Sequence, residues 1–311
     1  IFGQRSTYTD NRELFMNSNS LQLVERSRLT SAFSSIREFG LFLSGNFRLN
    51  GQGSYLRPYF VLTNGDGINN FDKDLGGLKI GGRIDFLPFG LFTNKGQFRQ
   101  IDVMRELTPK FVIGVNYSHN SGMSSRRGRN SGSILYLNEL GQQSLPDYTK
   151  YGIDFLFKYN GFSALGEYVK SSSTVPTDII ERVRNDGSTS SSFLVNGVQD
   201  IESYVNGRMM LGEAYNIQMG YLFKSGITID SRYTHLKADD NSFLNNATFY
   251  NRPNYYTLGI GKLLGRNYGA KIQGSITLVD GSLGVNHDND TATDVVFKDE
   301  LLFRLITTIS F

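Results

Sequence analysis

The sequence predicts an all-β chain, a transmembrane antiparallel β-barrel with about twelve strands visible along its length. Three observations carry that expectation. From Glu300 onward, Leu301, Phe303, Leu305, Thr307, Ile309 and Phe311 share one side of an extended segment, and Glu300, Arg304, Thr308 and Ser310 share the other with Leu302 and Ile306. A strand has period two, so this segment offers one face to hydrocarbon and one to water. Secondly, no run approaches the roughly 18 apolar residues of a membrane helix, and mean hydropathy is −0.29, yet 39% of residues are hydrophobic and 13% aromatic. Thirdly, segments of this alternating kind recur throughout, joined by connections that are short and long by turns.

In order, strands are expected near 1–8, 37–49, 54–63, 77–88, 109–119, 150–159, 161–170, 213–223, 226–236, 254–264, 268–279 and 300–311. In the second, Phe39, Leu41, Leu43, Phe47 and Leu49 alternate with Glu38, Gly40, Phe42, Ser44, Asn46 and Arg48. In the fourth, Leu78, Ile80, Ile84 and Phe86 alternate with Lys79, Arg83 and Asp85. The sixth sets Tyr151, Ile153, Phe155, Phe157 and Tyr159 against Asp154 and Lys158; the eighth sets Tyr215, Ile217, Met219, Tyr221 and Phe223 against Asn216 and Gln218. The apolar rows are almost free of charge, as they must be where a lipid-facing Lys or Arg costs about 2–4 kcal/mol. Lys170 and Lys262 break the rows, each toward a strand end where a long side chain can snorkel.

Turns at 50–53, 160–161, 224–226 and 265–267 are short and rich in Gly, Asn and Ser, which suit tight hairpins. The stretches 9–36, 64–76, 120–149, 171–212, 237–253 and 280–299 are long and polar. Only 89–108 departs from the alternation, being long where a short turn belongs. Short periplasmic turns and long outer loops put both termini on the periplasmic side.

A soluble β-sandwich also alternates. Its strands, however, more often run 5–6 residues, and its dry core would not hold Arg48, Arg57, Lys79, Arg83, Lys110, Lys158, Arg232, Lys271 and Arg304 unless most were paired. A water-filled lumen can hold them. With Glu38, Asp85, Asp154, Glu167, Asp230 and Glu300 opposite, the balance is positive, which predicts a preference for small anions. Pairing of these charges across strands stays open as the alternative. Residues 9–36 are the candidate inward constriction, with Arg26 and Arg28 facing the pore and Leu21, Leu23 and Val24 against the wall; a lid lying outside the membrane is the alternative. The residues expected to line the pore or bind the anion are therefore Arg26, Arg28, Arg48, Arg57, Lys79, Arg83, Lys110, Arg232 and Arg304.

Other classes are not supported. Zero Cys removes disulfides, thiolate metal sites and cysteine nucleophiles. A net charge of +3 with scattered basic residues does not suggest nucleic acid. No nucleophile–base pair emerges, so no enzyme is expected, and no cofactor. His119, His235 and His287 lie on separate segments. Carboxylates at 64–74, and Asp288 with Asp290, have calcium-like spacing but lack a closing bidentate Glu, so structural calcium there is a minor option. Gly259-Ile-Gly-Lys262 mimics part of a phosphate loop inside a strand, without a following helix. Arg126, Arg127 and Arg129, in a long outer loop, suit lipopolysaccharide phosphates.

Several stretches carry a family resemblance. Ser18-Asn-Ser-Leu-Gln-Leu-Val-Glu-Arg-Ser-Arg-Leu, Arg37-Glu-Phe-Gly-Leu-Phe-Leu-Ser-Gly, Thr63-Asn-Gly-Asp-Gly and Gly82-Arg-Ile-Asp-Phe-Leu-Pro-Phe resemble the phosphate-selective porin O/P family in order and spacing. Lys110-Phe-Val-Ile-Gly-Val-Asn-Tyr, Gly166-Glu-Tyr-Val, Asn216-Ile-Gln-Met-Gly-Tyr and Asp230-Ser-Arg-Tyr continue the similarity. The terminal Phe311 is likewise similar to the assembly signal of bacterial outer-membrane barrels. The resemblance implies a single barrel domain over 1–311 belonging to a barrel of about sixteen strands, commonly a homotrimer in the outer membrane, passing phosphate, polyphosphate or other small anions. It also implies that about four N-terminal strands have no counterpart here. The family's inward loop bears lysine, whereas residues 10–36 contain none, leaving Arg26 and Arg28 as the substitutes. A non-conducting barrel serving as a docking subunit, through the loops 120–149 and 171–212, is the alternative function.

Overall fold

A computed structural model describes residues 1–5, 9–34, 37–49, 51, 53–65, 76–123, 135–183, 187–245, 252–265, 268–286 and 293–310. The twelve expected strands are all present. They run β1 Phe2–Arg5, β2 Glu38–Ser44, β3 Tyr55–Thr63, β4 Lys79–Leu87, β5 Lys110–Asn120 and β6 Asp147–Tyr159, then β7 Phe162–Thr174, β8 Gly212–Leu222, β9 Ile227–Ala238, β10 Asn254–Leu263, β11 Ala270–Val279 and β12 Glu300–Ile309. Each pairs antiparallel with the next in sequence, giving one up-and-down sheet, and Phe47–Arg48 adds a short second contact to β3. The expected strand 37–49 is thus interrupted after Ser44. β7 reaches Thr174, so Lys170 lies inside the strand and not at its end; its cross-strand neighbour Glu213 supplies the opposite charge. No helix of the described residues is long and apolar enough to cross a membrane.

Turn chemistry explains the registers. Asn160 and Gly161 both take positive φ (48° and 90°), the two-residue hairpin geometry that matches strand twist, and they join Tyr159 directly to Phe162. The two edge strands, β1 and β12, have no strand on their outer sides among the described residues, so the sheet is open and not a closed barrel. It is nonetheless strongly curled. Arg12 bonds Asp85 on β4, while the adjacent Glu13 lies 3.9 Å from Arg232 on β9. In a flat sheet these strands would stand five spacings, about 24 Å, apart, so the wall must bend around residues 12 and 13.

Burial is inverted relative to a soluble protein. On β4, Ile80 and Ile84 are 53% and 47% exposed, whereas Lys79 and Arg83 between them are 4% and 2% exposed. Ile153 and Tyr151 on β6, and Ile217 and Met219 on β8, are likewise exposed, with Asp154, Lys158, Asn216 and Gln218 buried. Aromatic rings border the exposed face. Toward the long connections, Tyr215 and Tyr233 lie 5.8 Å apart and Tyr233 and Tyr256 5.0 Å, with Tyr117 paired to Tyr151. Toward the short turns come Phe111, Phe157, Phe162, Tyr221 and Phe223.

The long connections carry structure the sequence pattern did not announce. Strands Leu135–Leu137, Glu181–Val183 and Thr189–Ser190 form a small sheet beside helix Ile201–Asn206, over an apolar cluster that includes Tyr136, Leu145, Ile179, Phe193 and Met209. Ser282–Asn286 and Thr293–Phe297 form a hairpin. The expectations for 66–75, Arg126 to Arg129, His287, Asp288, Asp290 and Phe311 lie outside the described residues.

Candidate functional site: the filled interior and its arginine cavity

Residues 9–34 leave β1 and cross the concave face of the sheet. Thr9, Asp10, Asn11, Arg12 and Glu13 are all fully buried, a run of polar side chains that only a polar interior can accept. Arg12 donates to Asp85 (2.7 Å) and Asp154 (2.8 Å), and Arg83 donates to the same two carboxylates and to the Asp10 carbonyl. The Phe15 ring lies under both guanidiniums. Gly114 leaves the space, since a Cβ there would fall 2.1 Å from Arg83 Nη2. Nearby, Lys150 pairs with Asp10, and Lys79 pairs with Glu38 at 2.7 Å.

Glu13 organises the next turn. Its carboxylate accepts from Ser27 N and Thr30 Oγ1 (both 2.7 Å) and from Gln100 Nε2 (3.0 Å). Ser27 caps helix α1, Arg28–Phe33, by accepting from Thr30 N. The apolar side of α1, Leu29, Ala32 and Phe33, packs on Val169, Ala214 and Leu236 of β7, β8 and β9. Leu21 and Gln22 are strapped to the far wall: Lys271 and Gln273 donate to the Leu21 carbonyl, Gln273 also to that of Gln22, and Gln22 Nε2 to Asp230.

The anomalous stretch 89–108 has a physical role. It tucks under the short-turn end, where Lys158 donates to the Gly96 and Ile101 carbonyls and Tyr268 to that of Ile101. It also bonds residues 9–34 directly, through Asn17 N to the Phe98 carbonyl and Ile101 N to that of Ser20.

A cavity of about 380 Å³ lies between residues 25–31 and strands β9 to β12. Arg26, Arg28, Arg232, Arg252 and Arg304 line it, with Glu25 and Glu300. Arg304 pairs with Glu25 (2.9 Å) and Arg252 with Glu300 (2.7 Å). Arg232 donates to the Glu25 carbonyl, and Arg26 to those of Glu13 and Met16. Ser31, Thr234, Thr257 and Thr277 add hydroxyls, and Tyr255, Val279 and Leu302 an apolar side.

Of the nine residues expected to line a pore, the structure brings Arg26, Arg28, Arg232 and Arg304 together here. The others are elsewhere. Lys79 and Arg83 are consumed by buried carboxylates. Arg57 stacks on Phe98 and Tyr59, Lys110 Nζ bonds the Phe89 carbonyl, and Arg48 bonds that of Gly51 near a short turn. Arg252 was not anticipated; its place just ahead of β10 carries no periodic signal. Arg12 and Glu13 were visible only as charges in a loop, because period two says which way a wall residue points and nothing about what crosses to meet it.

No protein-family model matches the chain, and no curated protein matches it.

Proposed function

We propose that this chain is the wall and filling of an outer-membrane β-barrel that passes small anions by diffusion, with the arginine cavity on the route. The observation that carries the reading is the inversion on β4, β6 and β8, hydrocarbon outward and charge buried. The two aromatic rows support it. From Tyr215 to Phe223 is ~27 Å along an extended strand and ~21 Å along the axis at a ~40° tilt, close to the ~25 Å apolar band of such barrels. In hydrocarbon every edge amide needs a partner, so the reading requires that the outer edges of β1 and β12 be paired in the membrane, with each other or with further strands. The family resemblance to phosphate-selective porins, the periplasmic position of both termini, and assembly as a homotrimer in contact with lipopolysaccharide belong to the same proposal.

The test is reversal potential in a salt gradient across a planar bilayer holding the purified chain. Anion-directed reversal supports the reading, and cation-directed reversal ends it. A specific observation favours a second reading, a non-conducting barrel in a larger complex: residues 9–34 and 92–106 together fill much of the interior and bond each other. A folded, inserted barrel that passes no ions at any voltage would select that alternative.

A further inference from the structure

We propose that the arginine cavity binds a hydroxylated organic anion of sugar-phosphate or uronic-acid size in preference to a bare oxyanion; the inference rests on the anion-passing reading and names its solute. Five guanidiniums and two carboxylates line it, and with Glu13 3.9 Å from Arg232 the balance stays positive. The arginines are braced before any ligand arrives: Arg304 on Glu25, Arg252 on Glu300, Arg232 and Arg26 on carbonyls. Such preorganisation lowers the cost of ordering long side chains on binding.

Size and lining then select among anions. At about 380 Å³ the cavity falls in the ~300–1,000 Å³ range of organic ligand sites. A lone tetrahedral oxyanion would leave most of that volume to solvent. The wall strands supply hydroxyls beside the charges: Thr257 is the cross-strand neighbour of Arg232, and Thr277 that of Thr257. Thr257 and Thr277 share one hydrogen bond (2.9 Å), so the pair retains a second O–H to donate and lone pairs to accept, which suits a sugar hydroxyl. Tyr255 and Leu302 supply the apolar surface that the carbon face of a ring needs. The arrangement therefore offers guanidiniums and hydroxyls side by side, which suits a ligand carrying both an anionic group and hydroxyls.

The experiment is titration calorimetry on the full chain in detergent micelles, with glucose 6-phosphate, galacturonate, orthophosphate, tripolyphosphate and glucose as probes. Glucose 6-phosphate should bind at least tenfold more tightly than orthophosphate or glucose. R304Q should weaken every anionic probe, and T257V should shrink the tenfold preference to below threefold while leaving orthophosphate unchanged. Circular dichroism of each variant establishes that the sheet is intact. Orthophosphate or tripolyphosphate binding as tightly as glucose 6-phosphate would overturn the assignment, as would no heat from any anion with a folded sheet. A chain that conducts anions but shows no sugar-phosphate preference loses only this inference; one that binds yet passes no current loses only the conduction.

Discussion

Leu23 occupies the space that Gly259 leaves on β10: a Cβ at Gly259 would lie 2.4 Å from Leu23 Cδ2. The same device recurs where Thr9 meets Gly81 on β4 and where Gln22 and Asp230 crowd Gly220 on β8, with Cβ distances of 2.7 Å to Thr9 and 2.5 Å to Gln22. Glycines thus form seats in the wall for residues 9–34, which makes that segment a built part of the interior.

Gly259→Val should consequently cost about 1–3 kcal/mol by overpacking, and Leu23→Ala in the same chain should recover much of it. Urea unfolding in lipid vesicles, followed by circular dichroism, reads both. Full additivity of the two changes would mean that the contact is not made.

Arg83→Met leaves Asp85 and Asp154 sharing Arg12 alone in a site where all four side chains are at most 1% exposed. Breaking a buried pair typically costs about 3–5 kcal/mol. A loss below about 1 kcal/mol in the same unfolding assay, the value of a solvated pair, would mean that water fills this part of the interior.

The strands and their faces were legible in the sequence, and the interior was not. Ile80, Lys79, Ile84 and Arg83 announced their sides through period two, and Asn160-Gly161 announced its hairpin. The pore-lining expectation for Lys79 and Arg83 fails because Glu38 and Asp154 meet them from other strands; only Asp85, two residues from Arg83 on the same face, is a local sign of pairing. Tyr136, Ile179, Phe193 and Met209 are single apolar residues in polar stretches, without a period, so their joint burial could be found only in three dimensions. Lys158 pointed inward as expected, but its partners, two carbonyls of the 92–106 stretch, left no mark in composition.

The loop structure should open in acid. Ser144 Oγ donates to Asp178, and this bond holds the Asp178 carboxyl below its ordinary value. A depressed folded pKa contributes stability that is fully present above the unfolded value, about 3.9, and is lost as pH falls through the folded one. Pepsin should therefore cut between residues 174 and 212 faster at pH 2.5 than at pH 4.5, relative to a reference peptide. D178N, which cannot titrate, should flatten that difference; an unchanged ratio would remove Asp178 from the cause.

Placement of Lys on the outward face separates a membrane wall from a soluble one. Ile217→Lys should cost about 2–4 kcal/mol in vesicles if the residue meets lipid near mid-band. An ordinary exposed position would change by no more than about 0.5 kcal/mol.

The absence of cysteine makes the most direct measurement clean. Single cysteines at Ile84, Ile217 and Leu258, spin-labelled in vesicles, report collisions with oxygen, which dissolves in lipid, and with a water-soluble nickel chelate. All three should show high oxygen and low nickel accessibility. High nickel accessibility at all three, in a chain that remains soluble when detergent is withdrawn, would contradict the membrane wall on which the rest depends.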